Sequence, residues 1–205
     1  MRILCLSRLL ILAMALVAAP CLRAETPGDP ADEALDIETV MSTPAVPAKH
    51  SALVASAMGN LMRTLRQAGF TAESLRSGEV VTVTIPASSL FASNARELKG
   101  TGRGMLSRLI PYVKRTDNYK VVIAVHSDDT GDEEYAYELT EARAEAVDAY
   151  FASALAIDAT PFAVFGLGAD EPVAPNSGVA NRARNRRVEI SFVPTQQYID
   201  KLRKK

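Results

Sequence analysis

An aspartate at the end of an apolar run and an arginine fifteen residues beyond it are the chemistry-bearing pair of this sequence; both lie in "VHSDDTGDEEYAYELTEARAEAV", residues 125–147. The carboxylate of Asp128 attracts an ammonium, and the guanidinium of Arg143 presents a planar fork of donors that matches a carboxylate. Two uses stay open at this point. One is an ordinary surface salt bridge, which contributes about 0–1 kcal/mol. The other is a site for a ligand bearing both charges, with Asp128 on its ammonium and Arg143 on its carboxylate.

The remaining candidates have quieter readings. His126 and Ser127 are adjacent on a strand and point to opposite faces, so they make no nucleophile and base; His126 reads as a hydrogen-bonded structural residue. Only His50 accompanies it, too few ligands for a metal. "DDTGDEE" has the composition of a calcium loop without its alternating ligands, and "GTGRG" lacks the Lys-Ser/Thr of a phosphate-binding loop. Arg182, Arg184, Arg186 and Arg187 cluster and could line the acidic site, although at least two of the four read as surface charges. With no nucleophile, paired acids or metal centre apparent, the pattern points away from an enzyme and asks for no cofactor.

A strand followed by a helix must position Asp128 and Arg143. "YKVVIAV" reads as a buried strand, and residues 133–155 as the strongest helix, with Leu139, Ala142, Ala146, Val147, Tyr150, Ala154 and Leu155 along its apolar side. Before them, Val54, Met58, Leu61, Met62 and Leu65 share a helical face that stops at Gly69. "EVVTVTIP" alternates as a strand, and "ELKGTGRGMLSRLIPYVK" is a helix weakened by glycines and kinked at Pro111. "TPFAVFGLG" and "RRVEISFV" supply two more strands. The order is an N-terminal helix, then β-α-β-α-β-β, an α/β sandwich with helices on one side of a mixed sheet.

Composition and the N-terminus bound the setting. The chain has 205 residues, 48% of them hydrophobic and 23% charged. Residues 1–24 join a basic start to "LLILAMALVA" and read as a signal peptide, cleaved near Ala24. A rival reading makes Cys21 a lipidated N-terminus, but Pro20 is a poor match to the small residue expected before such a cysteine. Both cysteines fall inside this segment, so the exported product has no disulfide. Removing it leaves 20 basic against 24 acidic side chains, which gives no electrostatic reason for a nucleic-acid partner. Residues 25–49 read as a Pro- and acid-rich disordered linker, residues 50–77 as the N-terminal helix and a connector, residues 78–194 as the domain, and residues 195–205 as a basic tail.

Four segments resemble a known family. "IPASSLFASNARELKGTG" is similar to a strand with an "LF…A.L…G" approach to a helix. "VHSDDTGDEEYAYELTEARAEAV" resembles "GHTD..G....N..LS..RA..V", "GLGADEPVAPN" resembles "G.G...P.A.N", and "NRARNRRVEISFV" resembles "GRA.NRRVEI". Together they resemble the OmpA-like C-terminal domain, the peptidoglycan-associating module of outer-membrane proteins, peptidoglycan-associated lipoproteins and flagellar stator proteins. The resemblance implies non-catalytic binding of the diaminopimelate of a peptidoglycan stem peptide, gripped by Asp128 and Arg143. Gly131, Thr140, Asn176, Arg182 and Arg186 would support it, Gly131 through backbone N–H groups at the start of the following helix. It also implies an exported protein, in the periplasm or on the periplasmic side of the outer membrane, with other envelope proteins as further partners.

The sequence departs from the pattern at three places. Ala136 replaces an asparagine and removes an amide, Val125 replaces a glycine before the histidine, and Asn181 replaces the glycine of "GRA". Ala136 and Val125 motivate an alternative in which the fold serves as a protein-interaction scaffold with weakened or lost peptidoglycan binding; Asn181 still tolerates a positive φ.

Overall fold

The computed structural model describes residues 36–204. The expected signal peptide, with Cys21, and residues 25–35 of the expected linker lie outside the described residues. In chain order the elements are α1 (Ile37–Val40), α2 (Ala48–Gln67), β1 (Thr71–Leu75), β2 (Val80–Pro86), α3 (Ala87–Leu90), α4 (Gly100–Ser107), α5 (Ile110–Val113) and β3 (Tyr119–His126). They continue with α6 (Glu133–Leu155), β4 (Ala163–Gly166), α7 (Gly178–Asn185), β5 (Arg187–Pro194) and α8 (Gln196–Arg203).

The strands form one mixed sheet in the order β1-β2-β5-β3-β4. β3 and β4 are parallel and are joined through α6, the crossover that a parallel pair needs; the other neighbours are antiparallel. Because successive strand residues point to opposite faces, Val83, Ile85, Ile123, Val188 and Ile190 all reach one side. There they pack with Val54, Met58 and Leu65 of α2, Leu106 of α4, and Val147 and Phe151 of α6. This is the mixed α/β architecture expected from the sequence.

Helix ends follow local chemistry. α2 stops because Gly69 takes φ +84°, and the N–H groups of Gly69 and Phe70 donate to the carbonyls of Arg66 and Leu65 at 2.9 and 3.1 Å. That is the glycine-terminated hydrogen-bond pair that closes many helices. Pro111 divides the next helical stretch: α4 ends at Ser107, and the proline occupies the first turn of α5, where its missing N–H costs nothing. α6 starts at Asp132, whose carboxylate accepts from the Tyr135 N–H at 2.9 Å.

Several expectations need correction. Residues 36–49 are not a spacer without structure: α1 lays Ile37, Val40 and Met41 over Val80, Val122, Val193 and Phe165 on the second face of the sheet. The sheet begins at Thr71, ahead of residue 78. Only Ala72 of β1 is buried, so its alternation is too faint to announce a strand. α7 separates β4 from β5, and its one buried residue is the polar Asn185. The expected tail at residues 195–205 contains α8, capped by the Thr195 hydroxyl, which accepts from the Tyr198 N–H at 3.1 Å, and anchored by the fully buried Ile199.

The buried side of α6 is also turned from the expected one. It carries Ala136, Leu139, Thr140, Arg143, Ala144, Val147 and Phe151. Gly166 of β4 is the cause, since a Cβ there would stand 2.2 Å from the backbone nitrogen of Glu141. Its absence lets α6 lie directly on β4 along the Thr140–Ala144 side.

Candidate ligand-binding site

Three strand ends meet at one end of the sheet's central strands. β3 runs out at His126 into Ser127 and Asp128, β2 runs out at Pro86, and β5 begins at Arg187, which pairs with both His126 and Pro86. One residue outward, the Ala87 N–H donates to the Arg186 carbonyl at 3.0 Å, and the Ser127 N–H donates to Gly168 at 2.6 Å. The register therefore delivers the Arg186 side chain to Asp128.

Asp128 is 3% exposed. Its Oδ1 accepts from the Thr130 N–H at 3.0 Å, and its Oδ2 pairs with Nη1 of Arg186. Burial alone would raise its pKa, but Thr130 and Arg186 outweigh it and hold the carboxyl below its usual value, so it is ionised at neutral pH. The ion-pair partner of Asp128 is thus Arg186, not Arg143.

Arg143 is buried beneath the segment that follows α3. Its Nε donates to the Ala95 carbonyl at 2.8 Å and its Nη2 to Ala92 at 3.2 Å. The guanidinium carbon stands 4.9 Å from the centre of the Phe91 ring, a cation–π contact. A bridge between Phe91 and Leu98 closes this segment. Burial lowers the pKa of Arg143, yet a guanidinium starts so high that it stays charged. Its Nη1 donates to nothing among the described residues.

Asp128, Arg143 and Arg186 line one cavity of about 370 Å³ together with Ser88, Phe91, Ser93, Asn94, Tyr135 and Ala136. The arrangement can hold a zwitterion: the free end of Arg143 takes a carboxylate while the unused lone pairs of Asp128 take an ammonium.

The other candidates lie elsewhere. Gly131, at φ +100°, lies in an adjoining depression with Asp129, Asp132, Glu133 and Asp170. The helix start behind it is already capped by the carboxylate of Asp132, which accepts from the Tyr135 N–H, in place of a ligand anion. Thr140 is fully buried and outside the cavity; its hydroxyl donates to Ala136 at 2.9 Å and accepts from the Gly168 N–H at 3.0 Å, tying α6 to the end of β4. Arg182 donates to the Asn176 carbonyl at 3.2 Å, and the Asn176 side chain accepts from Asn185 at 2.6 Å. Both belong to a loop-fixing network.

The centre of that network, Asn185, lies in the "NRR" of the family-like pattern but has no role assigned from the sequence. It is fully buried, accepts from the N–H groups of Val173 and Ala174, both at 3.0 Å, and donates to the Ala174 carbonyl at 2.8 Å. Phe91, beneath Arg143, is likewise the Phe of the family-like "LF" with no role assigned from the sequence. The expectation of a hydrogen-bonded His126 is overturned: the ring is 1% exposed, neither nitrogen has a hydrogen-bond partner, and the nearest carboxylate, Glu189, stands 3.9 Å from Nε2. Burial first, then Arg187, push its pKa down to about 3. Of the departures from the family pattern, Ala136 faces the cavity and Val125 lies in the core. The positive φ near Asn181 falls on Gly178 instead.

The outer-membrane lipoprotein YfiB of Pseudomonas aeruginosa is 39% identical over 107 residues, 52% of this chain and 62% of YfiB. Outer membrane protein A of Bordetella avium is 33% identical over 56% of this chain and 59% of its own. The chain therefore spans about three fifths of these relatives. Among solved structures, a MotB-like protein from Desulfovibrio vulgaris matches with a TM-score of 0.61 at 26% identity, covering 70% of this chain and 94% of that one. The cell wall anchor of the T6SS from Pseudomonas aeruginosa matches with a TM-score of 0.54 at 28% identity, covering 69% and 96%. The OmpA family model matches residues 90–186, the stretch that holds Asp128, Arg143 and Arg186, so what this chain shares with that family is a domain over these residues.

Proposed function

We propose that the cavity binds peptidoglycan without catalysis, through the free amino-acid end of diaminopimelate in the stem peptide, and so links the cell wall to the envelope. One observation carries this reading: Asp128 and Arg143 are both buried, both ionised, and both open onto the same cavity. Burial makes such charges stronger recognition elements than surface ions. The description of one structural neighbour as a cell wall anchor and of one relative as an outer-membrane lipoprotein supports it. Residence in the periplasm, or on the periplasmic side of the outer membrane, follows from the same reading and from the expected signal peptide. Among the described residues, no helix is long and apolar enough to cross a membrane.

A protein-interaction scaffold is the second reading. It is favoured by Asp128 being already paired with Arg186 and by Ala136 facing the cavity without an amide.

Co-sedimentation with diaminopimelate-type sacculi separates the two. The purified chain is expected to pellet with sacculi, and Asp128→Ala and Arg143→Ala are each expected to weaken the interaction tenfold or more, since a charge-assisted contact contributes about 1.5–3 kcal/mol. Equal recovery of the double variant and the parent would leave the scaffold reading.

A further inference from the structure

We propose that Arg186 sets the specificity of this cavity, selecting a ligand that carries two carboxylates for each ammonium. The inference rests on the stem-peptide reading above. Within that reading it names the preferred form, one in which the glutamyl α-carboxylate beside diaminopimelate is free and not amidated.

The charges lining the cavity do not balance. Asp128 is the one carboxylate, and Arg143 and Arg186 are two guanidiniums. A simple zwitterion would leave this surplus positive charge without a partner. Arg186 spends only Nη1 on Asp128; its Nε and Nη2 donate to nothing among the described residues, and its side chain is 41% exposed. Arg143 likewise keeps Nη1 unspent. Two donor-rich groups thus face the same space, and each guanidinium matches a carboxylate in shape and charge.

The surroundings give the site a direction. The depression next to Asp128 gathers Asp129, Asp132, Glu133 and Asp170 and contains no base. A ligand ammonium is drawn to that side, where it shares Asp128 with Arg186, because a carboxylate offers about four acceptor positions. Both ligand carboxylates then turn away from the acidic rim, one to Arg143 and the other to Arg186. Arg186 also neutralises Asp128 when the cavity is empty, so an ammonium alone gains little by entering.

The test is calorimetric titration of the purified chain with two synthetic peptides, acetyl-alanyl-γ-glutamyl-diaminopimelate monoamides that retain the free amino-acid end. They differ only in whether the glutamyl α-carboxylate is free or amidated. The free form is expected to bind about tenfold more tightly. Arg186→Gln is expected to bring the two affinities together, while Arg186→Lys, which keeps the charge, retains part of the preference and guards against a folding defect. Equal affinities for the parent chain, or an undiminished preference in Arg186→Gln, would overturn the inference. If Asp128→Ala still abolished binding of both peptides, the stem-peptide reading would survive that result. Failure of the parent chain to bind either peptide would remove both.

Discussion

His126 shows at the residue scale what burial without a partner does. Its folded pKa of about 3 lies below its ordinary 6.5, so as pH falls the unfolded chain takes the proton first. The native state keeps its full stability above pH 6.5 and loses it progressively as pH falls from 6.5 towards 3, by up to roughly 4–5 kcal/mol at the acid end. His126→Leu is therefore expected to flatten the decline of urea midpoints between pH 7 and pH 4, and parallel declines in the two proteins would contradict this. Asp128, whose pKa is lowered, adds a loss of the same sign only at more acid pH. Asp128 and Arg143 stood out in the sequence as opposite charges across a strand-to-helix loop, and it was their positions in the family-like pattern that marked them as a candidate site. Arg186 was legible only as one of a basic cluster that could line the site, because its pairing with Asp128 depends on the register of β3 against β5; the carbonyls that hold Arg143 belong to residues 92 and 95, far away in sequence, and were not legible.

Elements were legible in proportion to how apolar their buried faces are. The bounds of α6 were clear from its cap and length, but its face was misread because Thr140 and Arg143 point inward, and periodicity counts only apolar residues. α7 was missed for the same reason, since Asn185 is what it buries. Gly166 makes the α6–β4 contact testable. Gly166→Ala would drive a Cβ into the backbone of Glu141, and overpacking of this kind costs about 1–3 kcal/mol. A lower urea midpoint is expected, together with weaker sacculus binding, because α6 carries Arg143. Unchanged stability and binding would show that α6 can shift off β4 without moving the site.

At the scale of the whole molecule, alternating strands and amphipathic helices announced a mixed sheet with its main helices on one side. They did not announce that α1 covers apolar residues of the other face, because a four-residue helix among prolines and acids has too short a pattern to read. α1 packs on Val80 and Val193, at the ends of β2 and β5 away from the charges, while α6 and the ends of β2, β3 and β5 at Pro86, His126 and Arg187 bring the charges together. Titration of the labelled chain with meso-diaminopimelate, followed by amide chemical shifts, tests the wall-binding reading most directly. Saturable shifts centred on Asp128, Thr130 and Arg143, absent in the Asp128→Ala/Arg143→Ala variant, are expected; a spectrum unchanged at millimolar ligand would contradict it.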